Sequence, residues 1–192
     1  MRLLKAASYP VMPWKNGGGE TWEIAASPPG ASLDDFAWRV SMARVDRDGP
    51  FSMFVGIDRT LTIISGAMML LPERREAVAL DATAPPYGFD GGEPIGAIVT
   101  QGPVIDLNVM TRRTCYRHHV CRETGSGGRA SIVAADVMLV VALGDGLRAG
   151  GTPLGRHDCL VLAAGDTPDL TIDTGTASSE GAMVSIELWR LR

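Results

Sequence analysis

The chain has 192 residues, 45% of them hydrophobic, and a formal net charge of −4 at neutral pH, which fits one compact domain or two small lobes and excludes a disordered chain. Its basic residues are scattered and form no cationic run, which argues against direct nucleic-acid binding, because phosphate neutralisation supplies most of that affinity. The longest apolar stretch, residues 132–143, is interrupted by Asp136 and too short to cross a bilayer.

The N-terminal stretch MRLLKAASYPVMPW lacks the extended apolar core of a secretory signal, so a cytoplasmic protein is expected. Cys115, Cys121 and Cys159 make an odd count without zinc-site spacing, and they read as plain thiols.

The first motif in chain order is residues 13–20, PWKNGGGE. Three consecutive glycines are costly in chain entropy, so they serve backbone geometry: a positive φ, or a ligand close to amide N–H groups. The spacing of a phosphate loop is absent, and Glu20 would oppose a phosphate. Lys15 is one of only two lysines, beside sixteen arginines. Trp14, Lys15, Asn16, Gly17 and Gly18 are therefore candidate ligand-binding residues, with a flexible turn as the plainer alternative.

A strand is predicted at 21–26 and another at 37–45. Alternation in the second puts Arg39, Ser41 and Ala43 on one face and Trp38, Val40, Met42 and Arg44 on the other. A guanidinium amid apolar residues needs partners, and Arg39 suits forked recognition of a carboxylate. An ordinary ion pair with Glu23 is the alternative. DRDGP at 46–50 is a turn by composition, with Phe51, Phe54 and Arg59 directly after it.

Further strands are predicted at 61–64, 68–71, 77–80, 95–100 and 104–110. The last alternates Asp106, Asn108 and Met110 against aliphatic Ile105, Leu107 and Val109; the first set suits a pocket floor and the second a core. Strands at 114–122, 137–143, 159–163, 170–172 and 182–189 complete the pattern. Residues 131–143 are long enough for a buried helix, but a Val-rich end and the following Gly-Asp-Gly favour a strand. No helical periodicity is sustained, so the chain reads as all-β. The segment from Leu61 resembles the one from Met138, roughly 77 positions on, in its order of strand, Gly turn, strand, Asp and Pro, which is consistent with two duplicated small barrels.

Nine of the eleven aromatic residues precede residue 97, marking either a pocket or simply the larger core in that half. His118, His119 and His157 are the only histidines. Adjacent His118 and His119 point to opposite faces of a strand, so a conventional metal site is not expected, and neither is a Ser-His-Asp or Cys-His catalytic set.

PWKNGGGET, WRVSMARVDRDGPFSMFVGIDR, FDGGEPI and DLNVMTRR together resemble the HutD/Ves family of bacterial proteins, most specifically over residues 10–115. The matching positions are Trp14, Lys15, Asn16, Gly17, Gly18, Gly19, Glu23, Arg39, Ser41, Asp48, Gly49, Phe51, Arg59, Asp106, Asn108 and Arg113. Val55 stands where the family commonly has proline. The resemblance implies a bicupin, two small cupin-like jelly-roll barrels packed as one unit, here read as residues 1–125 and 126–192 with terminal strands free to cross over. It also implies a regulatory protein that binds an anionic intermediate of histidine degradation, of urocanate or formylglutamate type.

The expected ligand-binding set is Trp14, Lys15, Asn16, Gly17, Gly18, Glu23, Arg39, Ser41, Phe51, Arg59, Asp106 and Asn108, with backbone amides of the glycine loop assisting. No metal, cofactor, nucleic-acid or membrane partner is expected, and a homodimer is compatible with the sequence. The rival reading is a metal-independent enzyme acting on a small carboxylate, with Lys15 as base or electrostatic catalyst and Glu20 or Glu23 as general acid/base. A third is a protein–protein regulator without a ligand.

Overall fold

The alternating segments form strands in a computed structural model that describes residues 1–124, 135–149, 151–166, 170–172 and 182–192. In order they are β1 (Arg2–Leu4), a 3-10 turn (Ala6–Ser8), β2 (Val11–Pro13), β3 (Gly19–Ser27), β4 (Trp38–Val45), β5 (Gly49–Pro50), β6 (Ile57–Pro72), β7 (Val78–Asp81) and β8 (Tyr87–Asp90). Then come β9 (Ile95–Arg112), β10 (Tyr116–Thr124), β11 (Val137–Ala142), β12 (Leu147–Ala149), β13 (Thr152–Pro153), β14 (Cys159–Ala163), β15 (Leu170–Ile172) and β16 (Ala182–Arg190). Among the described residues there is no α-helix, and no helix long and apolar enough to cross a membrane. The fold is all-β.

The chain divides into two compact units, Pro10–Arg117 with Leu191–Arg192, and Met1–Tyr9 with His118–Arg190. The lobe boundary expected at 125/126 lies outside the described residues, as do residues 131–134 of the segment weighed as a helix. Residues 137–142 of that segment are β11.

In the first unit a sheet runs β2-β3-β4-β9-β6-β7, with β5 on β9 and β8 on β6. The separate strands expected at 61–64 and 68–71 are one strand, β6, and those at 95–100 and 104–110 are also one, β9. The breakers between them bend the pair instead of ending it. Register shifts cluster between Ile63 and Met68, and Gly66 takes a φ of 78° there. A Cβ on Gly66 would come within 2.5 Å of the Gln101 carbonyl oxygen. Only glycine tolerates both the left-handed backbone and that approach. Gly66→Ala is expected to destabilise the protein by about 1–3 kcal/mol, read as a fall in the urea midpoint at unchanged slope.

A buried cluster including Val45, Leu61, Ile63, Met68, Leu70, Phe89 and Val104 fills this unit.

The second unit has a sheet β1-β14-β11-β16-β10 and a small one, β13-β12-β15. Its core includes Met138, Val140, Leu147, Leu160, Leu162 and Met183. The N-terminal residues belong here for a concrete reason. β1 pairs with β14, and Asp158 accepts bonds from Lys5 Nζ at 2.8 Å, Ala6 N at 2.9 Å and Gly155 N at 2.9 Å. Tyr9 Oη donates to the His157 carbonyl at 2.8 Å. His157 has a φ of 67° and its amide donates to Ala142 O, so in this unit it shapes a turn. Cys159 is fully buried, which pushes its thiol up to about 12 and makes it inert at neutral pH.

Candidate functional site

Antiparallel register aligns side chains into rows across one face of the first unit's sheet. The first row is Arg39, Met110 and Arg59; the next is Glu23, Ser41, Asn108 and Leu61; the third is Thr21, Ala43, Asp106 and Ile63. On the opposite face Val40, Met42, Leu107 and Val109 are buried. Period-2 alternation in β4 and β9 thus puts the polar residues together and away from the aliphatic ones.

Above these rows lies a cavity of about 630 Å³, rimmed by the β2–β3 hairpin and the segment from Arg47 to Phe54. Trp14, Lys15, Asn16, Gly18, Arg39, Ser41, Phe51, Arg59, Asp106 and Asn108 line it. Gly17 and Glu23 do not. Gly17 is at the hairpin tip with a φ of 66°, and Glu23 Oε2 accepts from Arg39 Nε at 2.8 Å. Arg113 pairs instead with Asp58 and Asp90.

The triple glycine is a turn device. Gly17 N donates to Trp14 O at 3.0 Å, and Gly18 N to Asn16 Oδ1 at 3.0 Å. A Cβ on Gly19 would overlap the Arg44 carbonyl oxygen. The amides of Gly17 and Gly18, expected to assist an anion, are therefore already engaged, and Asn16 spends its oxygen locally. The cationic groups of the cavity are side chains.

Arg39, 6% exposed, is held by Glu23 and by Ser41 Oγ at 3.2 Å from Nη1. The ion pair weighed against forked recognition is present, yet it engages only Nε, and a guanidinium has five donors. Arg59, also 6% exposed, sits among Phe51, Phe54 and Phe89, with ring centroids 5.4, 5.6 and 5.0 Å from its Cζ. Its Nη1 donates to Ser52 O at 3.0 Å, and its Nε has no partner among the described residues. Burial, with Arg39 nearby, lowers Arg59 to about 10 against the pull of Asp106. It remains a cation at neutral pH.

Asp106, 3% exposed, is pushed by burial up to about 7, with Arg59 opposing the rise. Four cationic side chains, Lys15, Arg39, Arg47 and Arg59, line the cavity against two carboxyls, Asp48 and Asp106. Asp48 Oδ1 accepts from Val99 N at 2.7 Å. A chain of net charge −4 has collected positive charge here.

The cavity walls carry no imidazole, and all three histidines belong to the other unit. One buried carboxyl and one already bonded do not fit the several-histidine donor set of a transition-metal cupin site. Arg47 and Phe54, both outside the expected ligand-binding set, join the cavity, because a turn-rich composition says nothing of where a loop packs. Their signal is the density of DRDGPFSMF beside β5, which pairs with β9.

The HutD family model matches residues 6–179. The chain belongs to the HutD family. It is 32% identical over 173 residues to an uncharacterized 21.2 kDa protein of the hutC 3' region in Pseudomonas putida, covering 86% of this chain and 88% of that protein. It is 37% identical over 114 residues to protein Ves of Citrobacter koseri, so that it spans 59% of that relative's length. HutD from Pseudomonas fluorescens SBW25 matches structurally with a TM-score of 0.85 and 30% identity, covering 100% of this chain and 99% of that one.

A cupin 2 conserved barrel domain protein from Leptotrichia buccalis gives a TM-score of 0.54 at 11% identity over 89% and 88% of the chains. The HutD fold is thus cupin-like. Where the family resemblance expects proline, Val55 is 86% exposed.

Proposed function

We propose that this HutD-family protein is a binding module whose first unit captures a small anionic metabolite and thereby modulates histidine utilisation. The reading rests chiefly on one observation: two nearly fully buried guanidinium groups, Arg39 and Arg59, line one cavity with donors unspent among the described residues. Desolvated, pinned arginines bind carboxylates as forks and lose little entropy in doing so. Trp14, Phe51 and Phe54 offer apolar area for the rest of a small ligand. The hutC-region relative and the HutD structure support the histidine-utilisation context, and urocanate or formylglutamate is the ligand type inferred from that context. The cupin-like neighbour and the two units support a bicupin arrangement.

Isothermal titration with urocanate and N-formylglutamate tests this. Arg39→Ala is expected to fold and to bind the preferred acid about tenfold or more weakly, as loss of a charge-assisted bond implies. Unchanged affinity removes Arg39 from the site.

One observation favours the metal-independent enzyme as second reading: a carboxyl titrating near 7 at the cavity floor suits proton transfer at neutral pH. Asp106 then takes the role that the sequence suggested for Glu20 or Glu23, neither of which lines the cavity. Mass spectrometry of these acids with substoichiometric protein separates the readings; product formation sinks the pure binder.

A further inference from the structure

Beside its cations, the cavity floor is built from two residues with a buried acceptor that no donor among the described residues reaches. Asp106 Oδ1 and Asn108 Oδ1 are shielded from solvent and have no hydrogen-bond partner among the described residues. Both residues line the cavity. They stand two positions apart on β9, hence on one face and about 7 Å apart along the strand. Met110, two further positions on, lies between Arg39 and Arg59. The floor is therefore graded, with guanidinium groups at one end and bare acceptors at the other.

Folded proteins pair nearly all their buried polar atoms. Neighbouring exceptions in one cavity form a template for donors brought by a ligand. Asp106 Oδ1 alone carries this argument whichever way the Asn108 amide is turned.

We infer that the cavity takes a bifunctional acid, its carboxylate held by Arg39 and Arg59 and an N–H group at its other end received by Asp106 and Asn108, which set specificity. The inference rests on the carboxylate reading above and adds a second requirement to it. Burial holds Asp106 near 7, so at neutral pH its ionised form is available to accept from an amide or an imidazole N–H. Arg39, Arg59, Asp106 and Asn108 all line the one cavity of about 630 Å³, so a single small molecule can meet both ends.

The test is titration of the full chain with paired acids that carry or lack an N–H-bearing group: urocanate against 3-(furan-3-yl)acrylate, and N-formylglutamate against both 2-methylglutarate and N-formyl-N-methylglutamate, which keeps the formyl carbonyl. At least one N–H acid is expected to bind about 10- to 100-fold tighter than each analogue paired with it, because the analogue leaves the buried acceptors unpaired. In Asp106→Leu, checked for folding by thermal unfolding, that ratio is expected to shrink to about threefold or less. The wild-type comparison needs no variant. Equal affinity within both sets overturns the donor requirement and leaves the carboxylate reading standing. A ratio unchanged in Asp106→Leu overturns the assignment to Asp106. Absence of binding by all of these acids overturns the carboxylate reading itself, and this inference with it.

Discussion

Replacing Arg59 with methionine is expected to weaken small-carboxylate binding by about 100-fold or more while the chain stays folded, since two charge-assisted hydrogen bonds contribute about 1.5–3 kcal/mol each. Arg59 is the cation set deepest among rings, between Phe51, Phe54 and Phe89. Methionine fills the same apolar cage and makes favourable sulfur–aromatic contacts. The variant loses the bond to Ser52 O but also relieves the burial of a charge, so the net change in stability is expected to stay within about 1 kcal/mol.

Arg59→Lys is not expected to rescue binding, because a point charge lacks the planar fork. Calorimetry reads the affinity and thermal unfolding reads the fold. An Arg59→Met protein that binds carboxylates as tightly as wild type would exclude Arg59 from the site.

Asp106→Asn is expected to be more stable than wild type at pH 8, by up to about 4 kcal/mol, the free-energy equivalent of the rise from 3.8 to about 7. The sign follows from proton counting. Between those values the folded state holds a proton that the unfolded state has released. Wild-type stability from this group is therefore fully present below about 4 and lost as pH rises through about 7. Asparagine stays neutral throughout, so the gap between variant and wild type opens with pH. Urea unfolding at pH 4.5 and at pH 8 measures it, and a gap independent of pH would show that burial does not disfavour the charged form.

The polar floor was legible in the sequence because strand alternation is a local, period-2 property. Arg39 and Ser41 in β4, and Asp106 and Asn108 in β9, share a face by spacing alone, and the structure sets them in adjoining rows. The all-β class followed equally from short patterned segments between turn residues. The long motifs around PWKNGGGE carried the family resemblance that the HutD match then established.

What the sequence concealed depends on contacts distant along the chain. Gly66 reads as a terminator, yet beside the Gln101 carbonyl it is the hinge that keeps β6 one strand. Glu23 reads equally as a ligand-binding residue, an acid/base or the ion-pair partner of Arg39, and only the β3–β4 register, which sets its row beside Arg39, brings the two side chains into that pair. The N-terminal nine residues precede the first unit in sequence and belong to the second, because β1 finds its edge on β14 and Lys5 finds Asp158. Residues 13–20, the strongest local signal, proved to form a hairpin whose amides serve the turn and whose side chains rim the cavity. Composition and period determined which residues are polar and which way they point within a strand; only long-range register and close approach decided which of them face one another.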